Sequence, residues 1–358
     1  MKPGPPPSDR HPQVPVRVRA LFAAALVLAT SACDKQPGTP SWDSTSASPN
    51  TTSGIASPAP HISPAASTAA PAKPAPVVST PDATSAALRF IAYNVENWLT
   101  MDRYVDQKLV TGAPKPAAEK QAAIAILVRN CPDIVGLCEI GETPDLAEIQ
   151  QALKTAGLDL PYSRHHGGSD PARHLGLLSR FPISPPDEPA PTEFQMKGQT
   201  FAINRGILDA RIQARGKSYR LLGVHLKSKR EIEGADQEEM RLQEARLLRR
   251  HVESILKNDP NARLMVYGDF NDTRPSNTFK TVTGTYNEPD YLTAIPFKDT
   301  RGEAWTHYWE IHDIYSRFDF IAVSRALKPD VDFHASHIIE DPAWSAASDH
   351  RPLLAIFR

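Results

Sequence analysis

The stretch "RLMVYGDFNDTRP", Arg263 to Pro275, sets four apolar residues, Leu264 to Tyr267, directly before a Gly and the polar residues Asp269, Asn271 and Asp272. A short apolar run bounded by turn residues reads as a buried strand. Its polar end has two readings: turn chemistry closing a strand, or the rim of a site built for something charged.

On both sides of this stretch the periodicity alternates between strand and helix. "LRFIAYNV", "DIVGLCEI", "HLGLLSRFPI", "FDFIAVS" and "PLLAIF" read as strands, and "RGILDARIQARGKSYRLLGVHL" as a hairpin turning at Arg215-Gly216-Lys217. "AAEKQAAIAILVRN" reads as an amphipathic helix. "TPDLAEIQQALKTAG" reads as a helix with a Thr cap, Pro at its first position and Gly after its end, and Asp236 to Lys257 as a long helix. No internal repeat is visible. Hairpins mixed with crossovers favour a layered α+β fold over a purely parallel sheet.

Composition divides the chain. Of its 34 prolines, 16 precede Leu88, so the folded part is expected over 88–358. That length buries a full core without a disulfide framework. Near-equal numbers of basic and acidic residues, net charge -1, argue against gripping nucleic acid mainly by charge. Cys131 and Cys138, seven apart across an extended segment, are expected to be two buried free thiols.

Residues 1–33 have a signal's layout: Arg17 and Arg19, an apolar run from Ala20 to Thr30, then small residues before Cys33. The run is too short to span a membrane, which takes about 20 residues. The ending "TSAC" resembles a bacterial lipoprotein signal, in which Cys33 is lipidated; simple cleavage and an uncleaved anchor are the alternatives. Thr30 departs from the Leu preferred there, and the Pro-rich leader before Arg17 is unusual. Residues 34–87 are rich in Pro, Ser, Thr and Ala with Trp42 their one aromatic, the composition of a disordered tether. As a flexible coil it would span roughly 40 Å. The expected location is extracytoplasmic, membrane-anchored through Cys33 or secreted.

Polar residues recur at strand ends. Asn94 and Glu96 follow "FIAY", Glu139 follows "IVGLC", and His225 follows "LLGV". Asp269 and Asn271 follow "LMVYG", Asp319 sits in "SRFDFIAVS", and Asp349-His350 precede "RPLLAIF". Such groups from seven distant segments can converge on one rim, where each alone would cost burial energy.

With these residues in place the chain resembles the endonuclease/exonuclease/phosphatase superfamily, whose members include DNase I-type nucleases, apurinic endonucleases, neutral sphingomyelinases and inositol polyphosphate phosphatases. The resemblance covers Arg89 to Arg358 through "YNVEN", "PDIVGLCEI", "LLSRFPI", "NRGIL", "VHLKSK", "YGDFND", "SRFDFIAVS" and "SDHRPL", in that order. Each motif alone is weak; eight in order are specific. The family implies two packed β-sheets flanked by helices, a DNase I-like sandwich, with the site at one end and Mg²⁺ or Mn²⁺ as cofactor.

The roles implied by the resemblance also follow from the chemistry of phosphoesters, which need a cation, a base for water and stabilisation of the leaving oxygen. Glu139 is the expected metal ligand, a hard oxygen suited to Mg²⁺, with Asn94 and Asp349 completing or flanking the site, the Asn through its amide oxygen or a water. His350, oriented by Asp319, would activate or align the attacking water, though Asp269 is an alternative base. Asp269 and Asn271 would position water and a phosphoryl oxygen. His225 would stabilise the transition state or protonate the leaving group. Arg205 matches a phosphate-contacting arginine. Lys227, with Lys229 and Arg230, would steer an anion or simply lead into the next helix. Asp272 has no matched role and reads as a turn cap.

Some positions depart from the nuclease pattern. Cys138 and Gly141 stand where DNase I-type nucleases often carry Gln and Arg, and "GGSDPARHLG" offers Asp170, Arg173 and His174 but no counterpart of their backbone-contacting Tyr. Double-stranded DNA is thereby weakened as substrate more than hydrolysis is. Trp305, Tyr308 and Trp309 could wall a base or lipid, or be packing. His165, His166, His307 and His312 match no standard zinc spacing. The leading expectation is an Mg²⁺-dependent phosphodiesterase or nuclease acting on nucleic acid or its fragments. A phosphomonoesterase, a sphingomyelinase-like lipase and a non-catalytic surface binding protein on the same scaffold are the rivals.

Overall fold

The computed structural model describes residues 87–105, 108–186, 188–229 and 236–358. The expected signal segment 1–33 and the expected tether up to residue 86 lie outside the described residues, as does Arg230. Twelve strands matter for the site: β1 (Leu88–Trp98), β2 (Ile134–Ile140), β3 (Tyr162–His166), β4 (His174–Ser179), β5 (Ile183–Ser184), β6 (Ile207–Ala214), β7 (Lys217–His225), β8 (Leu264–Asp269), β9 (Thr293–Ala294), β10 (Asp319–Val323), β11 (His337–Ile338) and β12 (Leu353–Phe357). They build two six-stranded sheets, ordered β11-β12-β1-β2-β4-β3 and β9-β10-β8-β7-β6-β5. Each sheet has one parallel pair near its centre, β1 with β2 and β7 with β8, and antiparallel pairs elsewhere.

Strand alternation assigns the faces. Phe90 and Ala92 of β1 enter the core between the sheets with Leu177, Ile212, Ile321 and Leu353. Their neighbours Ile91, Tyr93 and Val95 point the other way, onto helices α1 (Ala117–Asn130) and α2 (Thr143–Thr155). The outer face of the second sheet is covered by α3 (Gln237–Asn258) and α4 (Asn277–Thr283), through Leu248, Val252, Phe279 and Val282. Helix, sheet, sheet, helix is the layered α+β sandwich that the sequence implied.

Tyr267 locks the two sheets together. A Cβ on Gly136 would stand 2.0 Å from its ring, and one on Gly223 2.6 Å from its hydroxyl. These two positions therefore accept only Gly while the ring lies there, edge-on to Phe90 at 4.8 Å between centroids. The β6–β7 hairpin turns on Arg215 (φ 51) and Gly216 (φ 76), both in the left-handed region that a tight two-residue hairpin needs.

Three local expectations are corrected and a fourth is extended. "HLGLLSRFPI" is not one strand: β4 ends at Ser179, whose Oγ accepts the Phe181 N–H at 2.9 Å, and β5 joins the other sheet. The residue preceding α2 is Glu142 rather than a Thr cap, with its N–H on the Asp145 carboxylate at 2.9 Å. Pro144 accordingly sits one position later than expected. Cys138 is a buried free thiol, but Cys131, at the left-handed end of α1, is only half-buried. Asp272 caps its turn by accepting the Thr273 N–H, and it also meets Lys229 at 3.1 Å and Arg241 at 3.3 Å.

Candidate active site

The sheet register brings the strand ends to one rim. His225 ends β7 opposite Asp269, which ends β8; Asp269 in turn lies opposite Asp319, the first residue of β10. Asn94 on β1 pairs with Cys138, one residue before Glu139. Just there both strands are irregular. The β1–β2 register shifts between Asn94 and Trp98, and the β2–β4 register between Cys138 and Ile140, with positive φ at Glu96, Asn97 and Glu139. Such bulges re-aim side chains, and non-glycine residues held at positive φ are tolerated where the surroundings over-determine them. Residues 349–351 are fixed from the far side: His350 bridges to His307, and the Tyr308 N–H bonds to the Asp349 carbonyl at 3.0 Å.

The side chains interlock within this rim. His350 Nδ1 lies 2.7 Å from Asp319 Oδ2, which leaves Nε2 turned to Asp269 Oδ2 at 3.7 Å and Asp349 Oδ1 at 3.9 Å. His225 Nε2 stands 3.7 Å from the same Asp269 oxygen and 3.8 Å from Glu139 Oε1. The other Asp269 oxygen accepts the Asn271 N–H at 2.7 Å, and Asn271 donates its amide to the Leu226 carbonyl at 3.0 Å. Asn94 Oδ1 is taken by the Glu96 N–H at 3.0 Å. Asn94 thus turns its amide N–H groups, not its oxygen, toward Glu139 and Asp269, both at 3.2 Å. Direct ligation through that oxygen, one of the two expectations for Asn94, is not what this orientation offers.

The surroundings set the charge states. Burial and the charges of Asp319 and Glu139 raise the Asp269 carboxyl to about 7, with His350 opposing. Burial disfavours the His350 imidazolium, yet the carboxylates of Asp319, Asp349 and Asp269 carry its pKa well above the ordinary value. His225 goes the other way, pushed down by burial and by Arg205, His350, Arg173 and Lys227. That direction favours the neutral imidazole, which donates a hydrogen bond more readily than it supplies a proton.

The sequence sets Glu96 at a strand end and assigns it no role. Its Oε2 accepts the Asp349 N–H at 3.0 Å, and burial with the charges of Asp349, Glu119 and Glu139 raises its carboxyl to about 7, against the pull of Lys115. Asp349 and Glu139 thus both press their charge on Glu96, a repulsion that a divalent cation at this side of the rim would relieve. The cleft, about 780 Å³, is lined by Glu139, Asp349, Asp269, His225 and His350, and also by Arg205, Lys227, Arg173, His307 and Trp309. Asp319 is buried behind His350 and reaches the cleft only through it. Of the aromatic trio, Trp309 faces the cleft, while Trp305 packs on Tyr315, Trp344 and Arg351 and Tyr308 stacks on Tyr315. His165 and His174, 4.9 Å apart between ring centroids, are both held on the Gly141 carbonyl.

A sequence family described as the Endonuclease/Exonuclease/phosphatase family matches residues 111–350. Beta toxin from Staphylococcus aureus superposes with a TM-score of 0.52 at 16% identity, over 75% of this chain and 99% of the toxin, and a variant of that toxin carries bound magnesium ions. The human Nocturnin catalytic domain gives a TM-score of 0.52 at 17% identity, over 76% of this chain and 97% of that one. Sphingomyelinase C from Streptomyces griseocarneus gives 0.51 at 14% identity, over 76% and 99%. At such identities the likeness is one of fold. No curated protein sequence matches the chain significantly.

Proposed function

Because the chain belongs to the endonuclease/exonuclease/phosphatase family, we propose that this cleft hydrolyses phosphoesters by attack of water assisted by a divalent metal ion. The observation that carries the proposal is the convergence of Asp269, His225 and His350: both Nε2 atoms lie 3.7 Å from one carboxylate oxygen beside Glu139. The ion is assigned to Glu139 and Asp349, whose hard oxygens suit Mg²⁺ and also Mn²⁺, with Glu96 holding the Asp349 backbone. Asn94 would act on this set from behind, as a donor or through water. The ion would offset phosphoryl charge and lower the pKa of water.

The chain's own groups supply the rest. Asp269, one oxygen held by the Asn271 N–H, would take the proton of the attacking water as the new P–O bond forms, while the ester bond breaks and the leaving oxygen takes a proton from solvent. His350, braced by Asp319, aligns that water and balances the charge that develops. Neutral His225 and the Asn94 amide offer hydrogen bonds to phosphoryl oxygens, and Arg205 and Lys227 attract the anionic substrate. The favoured substrate is a diester of nucleic acid or its fragments, met outside the cytoplasm by a chain anchored at Cys33 or secreted.

The test uses the full chain with Mg²⁺ or with chelator on single- and double-stranded DNA, RNA, chromogenic diester and monoester, and sphingomyelin. Diester hydrolysis stopped by chelator is expected, with Glu139→Ala lowering kcat/KM by roughly 10²-fold or more. A rate indifferent to chelator, or a Glu139→Ala variant within fivefold of wild type, sinks the metal assignment. No turnover on any substrate would favour the surface binding protein. Mass mapping of the mature N-terminus tests the anchor, and an unmodified Cys33 refutes it.

A further inference from the structure

The cleft has a cationic half whose donors exceed what attraction of a single phosphoryl group needs. Arg205 is only 5% exposed; its Nη2 meets Asp170 Oδ2 at 3.2 Å, while Nε and Nη1 are buried with no hydrogen-bond partner among the described residues. Lys227 is also 5% exposed. Its N–H is donated to Glu244 at 2.7 Å and its carbonyl accepts from Arg241 at 3.1 Å, but its ammonium has no partner among the described residues. Arg173 completes the group, its Nε–H held by Asn97 Oδ1 at 2.8 Å, and all three line the cleft beside His225.

The neighbouring acids do not absorb these donors. One Asp170 oxygen accepts the Ala172 and Arg173 N–H groups at 3.0 and 3.2 Å, and Glu244 is engaged by the Asn204 and Lys227 N–H groups at 2.8 and 2.7 Å. Buried donors left unmade are costly, and a guanidinium beside an ammonium is the donor set that a tetrahedral oxyanion satisfies. We propose that Arg173, Arg205 and Lys227 form a second phosphate subsite, so that the preferred substrate carries another phosphate beside the scissile one. A neutral or cationic neighbouring group, such as choline, is disfavoured there. The word substrate rests on the phosphoester hydrolase reading; the subsite itself does not.

The test is calorimetric titration of the full chain, in chelator, with thymidine 5′-monophosphate, thymidine 3′,5′-bisphosphate and the 5′-phosphorylated dinucleotide. At least tenfold tighter binding of one of the two larger ligands than of the monophosphate is expected, about 1.4 kcal/mol. A gain for the bisphosphate alone identifies a terminal phosphomonoester, and a gain shared by the dinucleotide identifies the next backbone phosphate. Arg205→Gln and Arg173→Gln, each checked for an intact melting transition, should close the gap to within about twofold. Equal binding of all three ligands, or a gain that survives in both variants, overturns the subsite. Hydrolysis assayed in parallel with Mg²⁺ keeps the two readings apart, since failure of turnover would leave the binding gap intact.

Discussion

Replacing Asp319 by Asn tests the core of the site with little change of shape. The Asp319 carboxylate is buried, 2.7 Å from His350 Nδ1, and its backbone N–H is donated to Thr306 Oγ1 at 3.1 Å, so the position itself stays fixed. A charge-assisted hydrogen bond contributes about 1.5–3 kcal/mol, which at 1.4 kcal/mol per decade is roughly 10- to 100-fold. The amide adds a second effect. Without the Asp319 carboxylate the ring loses the strongest of the charges that hold it as an imidazolium, so His350 drifts to the neutral form and no longer balances charge beside the water. In a serine protease the corresponding change costs roughly 10⁴-fold. A fall in kcat of about 10² to 10⁴ is therefore expected on a chromogenic diester, with KM little changed. The imidazole nitrogen resonances of His350 should report the loss of its charge, and the melting temperature should move by only a few degrees. A folded Asp319→Asn variant with kcat within fivefold of wild type would falsify the pairing of these two residues as a working unit.

Gly136→Ala places a methyl 2.0 Å from the Tyr267 ring and should destabilise the domain by about 1–3 kcal/mol or more, read as a lower urea midpoint; an unchanged midpoint would mean that the sheets are not locked there. Acid sensitivity should be partly set by Asp299, whose burial is outweighed by the Glu303 N–H and Arg351, which hold its carboxyl below the usual value. A depressed carboxylate contributes stability above its unfolded pKa of about 3.9 and loses it as pH falls through the folded value. Urea titrations of Asp299→Asn should thus show less stability than wild type at pH 7, with the difference shrinking below about pH 4. A gap constant with pH would rule the group out.

Much of this site is legible in the chain because its groups stand beside apolar strands. Glu139, His225, Asp269 and Asp319 each adjoin a run whose burial the sequence announces, and α1 falls over the residues its periodicity predicts. Other features leave no such trace. Glu96 and Asn97 owe their aim to a bulge, and the β1–β2 pairing that produces it joins residues some 40 positions apart. Lys227 and Arg205 look like surface cations in a polar stretch, and only packing against α3 and the loop at Asp170 encloses them. Asn94 stands at a strand end that the sequence marks, but which end of its amide faces the acids depends on a backbone N–H two residues on.

By itself, the sequence determined most of the elements around the site and the order of the polar strand ends. Apolar alternation, turn chemistry and composition are local properties that need no partner. The tertiary structure decided where those ends meet. In the opening stretch, Asp269 meets His225 of β7 and Asp319, on which His350 rests, because strand register sets both opposite it, Asn271 holds its second oxygen, and Asp272 ties its turn to α3. It also decided that the cleft has an acidic and a cationic half, since charges from distant segments acquire a common environment only when packing removes the water between them.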